Sequence, residues 1–502
     1  MSTVVIDRIS PRKTLLAVCT AGMILPLSFT GGVIATPAIA QQLGGSPLAL
    51  SWITNAFMLT FGSLLMAAGS LADNFGRKRL FLSGVLLFTI ASLVIGLSPN
   101  VVILDLLRAL QGIAAAAALA GGSAALADAF SGHGQARAFS LLGTSFGVGL
   151  ACGPVVAGLL IDHGGWRSVF LICALFGALA ALMSWSGMRE SRAVQRGKID
   201  CWGIISFSLA VSFLTWGILQ VGEDGWQHPR VTGLLAAALL FILLFIAVEL
   251  KTARPMLDLR LFRYLRFLGI QLLPIATCYC FVVLLALLPM RLMGISGYSS
   301  LHTGLCMLAI STPILLVPSL AVVLTRWFSA GSLASCGLVI AAAGLLLLSQ
   351  LRNPDDIRPL LLAMMMIGIG SGLPWGLMDG LSVSVVPKQQ AGMATGIFST
   401  IRVAGEGIAL ALVISLLTEL IAAPLSHQLA DGAARSAAQY LVSGNLLKAS
   451  ELSGIGSAQL ATRYLQAFNQ LSLILMAITL FSALLVWLCL RGKREASCNS
   501  RK

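Results

Sequence analysis

Charge is what this sequence lacks most. Asp, Glu, Lys and Arg make up 10% of its 502 residues, against 57% hydrophobic residues and a mean hydropathy of +0.92. A soluble domain carries roughly a quarter charged residues to cover its surface, so lipid must be the solvent for most of this chain. A soluble protein of this length would hold about three domains. Apolar blocks near twenty residues recur instead from end to end, the signature of a polytopic membrane protein. Acidic residues are scarcer than basic ones, 19 against 33, giving a formal charge of +14. The basic residues sit between apolar blocks, so they mark topology rather than a nucleic-acid surface. The ten cysteines are scattered, mostly inside apolar segments (Cys19, Cys152, Cys173, Cys306, Cys336), and Cys278 and Cys280 form the only close pair. Without a CxxC or a Cys/His ligand set, neither a disulfide framework nor a zinc site is expected, and no metal or cofactor is implied. The five histidines fall in or near loops at His133, His163, His228, His302 and His427. No GxxxxGK[ST] loop exists, which argues against an ATP-driven pump. No alternating ten-residue barrel pattern appears, and lipid cannot satisfy open strand edges, so the fold is expected to be all-α.

Apolar helices are read at 14–40, 51–72, 80–98, 101–126, 138–161, 168–187, 201–221, 231–250, 266–289, 303–325, 331–351, 358–386, 393–421 and 465–490. Placing the N-terminus in the cytoplasm puts most of the 33 Lys and Arg on that face. The other face holds Arg167, Arg230, Arg291, Arg352, Arg358, Arg435, Lys448 and Arg463, while Arg108 and Arg402 lie within helices. That bias predicts cytoplasmic termini and an even number of spans. The first apolar run, with Ala38-Ile39-Ala40 only a faint imitation of a cleavage site, reads as an uncleaved helix. The one long loop, 422–464, is Ala/Ser/Leu-rich. It reads as short amphipathic helices on the outer membrane surface or as a passive linker.

Between the second and third segments the chain reads Gly69-Ser-Leu-Ala-Asp73-Asn-Phe-Gly76-Arg77-Lys78-Arg79. The two glycines permit a tight turn and close backbone approach. A helix C-terminus repels carboxylate, so Asp73 needs a basic residue or another helix's N-terminus as partner. In the fourth segment Arg108 precedes Gln111 and Gly112. An arginine there is costly unless it faces protein or water, and Asp105, three residues earlier on the same face, is a candidate structural partner. The fifth segment carries Gly143, Gly147, Gly149, Gly153, Pro154 and Gly158. Gly149 and Gly153 share one face, and Pro154 bends the helix.

These stretches resemble the major facilitator superfamily: its signature loop at residues 69–79, its helix-4 arginine motif at Arg108, and its antiporter motif at Gly149, Gly153, Pro154 and Gly158. Ala157 stands where the antiporter motif usually has the first glycine of its terminal pair. The resemblance continues through Gly164-Gly165-Trp166-Arg167, Gly225-Trp226, Arg254-Pro255 to Phe262, and Pro289 to Gly304. It is closest to the fourteen-helix drug:proton antiporter family of the QacA/EmrB type. It implies a major facilitator fold, in which two six-helix bundles (14–190 and 266–490) are joined by two inserted helices (191–265), between cytoplasmic ends at 1–13 and 491–502. It also implies a gating role for residues 69–79 and proton coupling through Arg108. Members commonly have an aspartate in helix 1. Here the matching stretch is Leu27-Ser28-Phe29-Thr30, so Ser28 replaces it, and the substrate is expected to carry less positive charge or other acids to suffice.

An antiporter needs a carboxylate that binds a proton or a cation but never both, and intramembrane acids are the natural candidates. Glu406 is the first choice: it is near mid-helix, flanked by Gly405 and Gly407, and four residues after Arg402 on the same face. Its other role would be to neutralise Arg402 in a structural ion pair. Asp379 ranks second, and Asp105, Asp128 and Glu419 lie toward helix ends. Ser28, Trp52, Phe57 and Trp375 are cavity candidates, as are Trp216, Tyr279, Phe281 and Met364 to Met366, because rings attract lipophilic cations and Met adapts to varied shapes. Packing or lipid contact is the competing role for each. Trp166 and Trp226 read as interface anchors. The expected function is proton-coupled export of small amphiphilic compounds or drugs across a bacterial cytoplasmic (inner) membrane. Lipid, substrate and protons are the expected partners, nucleic acid is not, and other efflux components are a further candidate. A dedicated exporter of one metabolite, antibiotic or siderophore is the alternative. A membrane sensor or polytopic enzyme lacks an output domain or clustered catalytic residues.

Overall fold

In the computed structural model the described residues are all but 1–10, 131, 193–199, 253–256, 258–260, 262, 352–356, 385–390 and 492–502, with the side chains of 132, 133, 136, 383, 384 and 391–395 also outside them. Both basic ends and most of the Arg254–Phe262 stretch thus lie outside the described residues. Among the described residues there is no strand, and fourteen helices are long and apolar enough to cross a membrane. Thirteen come first: α1 (Pro11–Leu43), α2 (Pro47–Phe75), α3 (Arg77–Ile95), α4 (Val101–Ala129), α5 (Gly132–Gly164), α6 (Arg167–Gly187), α7 (Cys201–Asp224), α8 (Pro229–Lys251), α9 (Leu265–Ile295), α10 (Ser300–Leu324), α11 (Ala330–Ser349), α12 (Ile357–Ser384) and α13 (Ala391–Leu425). Two short helices, α14 (Asp431–Val442) and α15 (Leu446–Ser453), precede the last span, α16 (Ser457–Leu490).

Each expected segment becomes a helix, and most extend a few residues beyond their apolar cores. Polar caps explain several ends. The Oγ of Ser46 accepts from Ala49 N ahead of Pro47, Asn100 accepts from Ile103 N, and Ser299 accepts from His302 N. Each satisfies a backbone donor that a helix start leaves open, and Pro47 lacks one to satisfy. α9 is irregular: π-helical turns occupy Cys278–Val282 and Arg291–Ile295.

α1–α6 pack into one bundle, and α9–α13 with α16 into a second. They meet along two seams, α5 on α10 and α2 on α13. α7 lies against both α2 and α13, so the inserted hairpin seals the second seam, and α8 rests on α7. α8 turns Leu239, Leu240, Leu243 and Leu244 outward, as a lipid-facing helix must. An even number of spans puts Pro11, where α1 starts, and Leu490, where α16 ends, on one face, here the terminal face. The loop 422–464 lies on the opposite, loop face.

That loop is neither a passive linker nor a surface float. α14 buries Ala434, Ala437, Ala438, Leu441 and Val442 in the protein core and packs on α13, α7 and α9. Small alanines let it approach closely, and its apolar stripe finds protein rather than lipid. Two further expectations change. Trp166 is 1% exposed, its Nε1 donating to Gln42 Oε1 at 2.9 Å, so it is a core residue rather than an interface anchor. Trp226 is 54% exposed, as an anchor would be. Arg291 does not sit in an exposed turn: it is 1% exposed within the π-turn that ends α9, its guanidinium 4.9 Å from the Phe468 ring.

Candidate functional site

Near mid-membrane a pocket opens between the bundles. α1 supplies Leu25, Pro26 and Phe29, α2 supplies Phe57, Met58 and Phe61, and α5 supplies Phe146 and Leu150. From the second bundle come Val282, Trp375, Arg402, Val403 and Glu406. The walls are aromatic and aliphatic, with one acid and one base. Phe57 and Trp375 are expected here from the sequence. Met58 is not, because a lone Met in an apolar helix carries no signal of which face it takes.

Arg402 and Glu406 do share a face, as their spacing requires, but they do not pair. Arg402 Nη1 instead reaches Asp379 Oδ1 on α12 at 3.4 Å, with its guanidinium 5.8 Å from the Phe398 ring. Among the described residues Glu406 makes no ion pair and no hydrogen bond. Two glycines flank it, and nothing lies within 4 Å of a Cβ built at Gly405. Glu406 is therefore a carboxylate without a bonded partner, opening on a largely apolar pocket.

Arg108 is arranged differently. It is fully buried. Nε donates to Ile53 O at 2.7 Å, and Nη1 donates to Ser28 Oγ at 3.0 Å and Gln111 Oε1 at 2.7 Å. Gln111 passes the network on to Ser92 Oγ. The guanidinium lies 4.5 Å from the Phe57 ring and 5.8 Å from Phe170. The expected pairing with Asp105 does not form: Nη2 of Arg108 and Oδ1 of Asp105 are both buried without hydrogen-bond partners. Ser28 is thus a ligand of Arg108 rather than a cavity residue, and Phe57 stands between Arg108 and the pocket.

The other cavity candidates disperse. Trp52 packs beside Ile218, Leu219 and Ala411. Trp216 and Met365 are 47% and 44% exposed on the outer surface of the helices, Met364 is buried in the second bundle's core, and Phe281 stacks edge-on to Trp375 at 5.9 Å. Tyr279 packs against the same core.

At the α2–α3 turn the glycines divide their labour. Gly69 has nothing within 4 Å of a built Cβ, so the close approach expected there is not made. Gly76 adopts φ +124°, open to glycine, and a Cβ there would strike the Glu190 carboxylate. Glu190 uses that space to accept from Lys78 N and Arg79 N, both at 3.2 Å, capping the start of α3. Asp73 finds the basic partner it needs in Arg77, at 3.2 Å, and Arg77 also reaches Asp128 of α4 at 3.2 Å. One guanidinium therefore bridges α2 to α4.

Along α5, Gly149 and Gly153 face α1, where any Cβ would collide with Met23 O and with Thr30 Oγ1 respectively. Gly158 meets Ser300 O at the start of α10. The small-residue face thus closes α5 on its own bundle, and its last turns close it on the other.

A second, larger cavity lies on the loop-face side of the first, further along α1, α2, α9 and α13. α7 and α14 complete its wall. Ser415 Oγ donates to Ile218 O at 2.6 Å, Gln439 Nε2 to Gly222 O at 2.7 Å, and Arg435 Nη1 to Val221 O at 3.4 Å. The last turn of a helix leaves carbonyls open and favours cations, so Arg435 and Gln439 dock α14 by capping α7. Arg435 also pairs with Glu419 at 2.7 Å. Among the described residues no group of three or more His, Cys, Asp or Glu gathers that could hold a metal ion.

Comparison with known proteins agrees with this architecture. The sequence profile of the Major Facilitator Superfamily matches residues 16–410. The chain is 30% identical over 428 residues to the multidrug resistance protein Stp of Mycobacterium tuberculosis, covering 83% of this chain and 78% of that protein. It is 30% identical to the tetracenomycin C resistance and export protein of Streptomyces glaucescens, covering 77% and 72%, and 31% identical to the cephamycin export protein CmcT of Amycolatopsis lactamdurans, covering 80% and 84%. A bacterial homologue of the human lysosomal transporter Spinster, solved inward-facing and unoccupied, superposes with a TM-score of 0.66 at 16% identity, over 96% of this chain and 97% of that one. The peptide transporter POT in complex with sulfate gives 0.61 at 13% identity, over 96% of each chain. With two bundles, two seams and a shared central pocket, and with this match to sequence and structure alike, the chain belongs to the Major Facilitator Superfamily.

Proposed function

We propose that the protein is a secondary active transporter that exports small amphiphilic compounds from the cytoplasm in exchange for protons. The observation that carries this reading is Glu406, a carboxylate without a partner on a largely apolar, aromatic pocket between two bundles, whose one base, Arg402, is bonded elsewhere. A bare charge there costs several kcal/mol. The cost is removed by a proton or by a positively charged ligand, and one carboxylate cannot take both. That exclusivity is what exchange requires: substrate displaces the proton from one side, and a proton displaces substrate on the other as the bundles rock about the pocket. Arg402, close by on the same face, is bonded to Asp379, which leaves Glu406 unpaired.

Sidedness follows from the Lys and Arg bias, which favours a terminal face in the cytoplasm of a bacterial cell and a loop face outside. The relatives named for multidrug resistance support a broad substrate range. A second reading, one dedicated antibiotic or metabolite, is favoured by the relatives named for export of a single compound. It is also favoured by Ser28, which leaves Arg108 without a counter-charge in contact. A panel of cationic dyes and neutral antibiotics separates the two. In inside-out vesicles with an imposed pH gradient, Glu406→Gln should reach the membrane normally and lose proton-driven export. Unchanged export would sink the role given to Glu406.

A further inference from the structure

The cavity on the loop-face side has a chemistry of its own. It spans about 750 Å³ of space, part of it open to solvent, against about 480 Å³ for the pocket at Glu406. Among its lining residues there is no Lys or Arg, and Glu223 of α7 is the one charged group. Five of its six hydroxyls, all but that of Thr54, are already committed as donors, Ser443 giving its proton to Tyr440 O at 3.0 Å. Thr36 gives its proton to Gly32 O, Ser51 to Leu48 O, Thr418 to Ile414 O and Ser415 to Ile218 O, at 2.6–2.9 Å. A hydroxyl whose hydrogen is used keeps lone pairs to offer. The chamber therefore presents acceptors and a carboxylate over an apolar lining, with Ala286, Leu287, Leu410 and Ile414 among its walls.

We propose that this chamber is a second, release-side binding station for apolar molecules bearing a cationic or hydrogen-bond-donating group, with Glu223 as its selecting carboxylate and α7 as the wall that creates it. The station deepens the export reading and rests on it, because a ligand leaving Glu406 toward the loop face enters this space next. The two stations differ in sign. The Glu406 pocket offers an acid and a base, whereas the outer chamber offers acceptors over its apolar walls, so it holds ammonium, hydroxyl or amide N–H groups and rejects carboxylates. Glu223 is kept in place from its own helix: its Oε2 accepts from Gln220 Nε2 at 3.0 Å, which also donates to Asp224. The roof over the chamber is α14, pinned to the carbonyls next to Glu223. The inserted helix pair is thereby more than filler. α7 brings the carboxylate and the carbonyls that hold the roof, and α8 packs along one side of α7.

The test uses the full chain in lipid nanodiscs and the lipophilic cation ethidium, with binding stoichiometry read by equilibrium dialysis. Two ethidium sites per chain are expected. Glu406→Gln should remove one. Glu223→Gln, which preserves shape and the bond to Gln220, should remove the other or weaken it by about tenfold or more, equivalent to about 1.4 kcal/mol of lost attraction. One site or none in the wild type, or two undiminished sites in Glu223→Gln, overturns the station. Export of ethidium from proteoliposomes, measured separately, reports on the export reading. Loss of export in Glu406→Gln with both sites intact in Glu223→Gln would leave that reading standing and remove only the station.

Discussion

The two arginines that lie within membrane spans by sequence end in opposite circumstances. Arg108 is sealed inside the first bundle, bonded to a carbonyl, a hydroxyl and an amide and flanked by two phenyl rings, with no carboxylate in contact. Arg402, in the second bundle, borders the pocket between the bundles and reaches an aspartate that is 61% exposed. A buried cation held by neutral groups is costly to move, because moving it breaks three hydrogen bonds at once. A cation on a pocket wall with a half-solvated partner can change partners at small cost. The same residue type, in the same solvent, is enclosed in one bundle and borders the shared pocket in the other.

Mutations can break or sharpen that contrast. The largest effect is expected from Arg108→Ala, which takes from Gln111 Oε1 its donor and opens a void beside Phe57. Thermal melting in detergent should show a destabilisation of about 3–5 kcal/mol, the range for truncating a large buried side chain. Next, Arg402→Gln should melt close to wild type and yet slow pH-driven uptake into inside-out vesicles. It should also flatten the dependence of that uptake on the imposed gradient. If it unfolds the protein instead, the two arginines are alike and the contrast fails. Ser28→Asp would give Arg108 Nη1 a charged partner at a position now 3.0 Å away. The expected outcome is a modest rise in melting temperature, and a fall would show that the neutral shell is already optimal. The smallest change belongs to Asp379→Asn. Removing so exposed a partner should cost no more than about 1 kcal/mol, with uptake altered less than in Arg402→Gln.

Much of this is legible in the sequence alone. Apolar block length foretells the spans, because lipid thickness dictates it. The i,i+4 spacing puts Arg402 and Glu406 on one face, and the glycine pair of α5 points at a close helix neighbour. Partner choice is not legible. Arg402 selects Asp379 rather than Glu406, and Arg108 passes over Asp105 for Ser28 and Gln111. Asp379 and Ser28 are brought in by tertiary packing and compete with a residue a turn away, and between Asp105 and Gln111, equally near in sequence, packing decides which one the guanidinium meets. The loop 422–464 misleads for a related reason. An Ala-rich apolar stripe reads identically whether it lies on lipid or on protein. The polar signal that separates them, Arg435 and Gln439 finding the end of α7, joins positions 214 and 217 residues apart. Burial of Arg291 is hidden because a π-turn carries it inward from what looks like a span terminus.

The irregular turns of α9 bear on how this chain tolerates length change. A π-turn holds one residue more than an α turn, with the backbone bonded throughout. Removing a single residue from Cys278–Val282 would therefore leave an intact helix. The turn would shed its extra residue and keep its full rotation, so the residues beyond it would keep their facing. Ala286, Leu287 and Met290 would stay on the outer chamber and Arg291 beside Phe468. The same deletion in a regular stretch of α9 would instead rotate everything beyond it by about 100° and draw it in by about 1.5 Å.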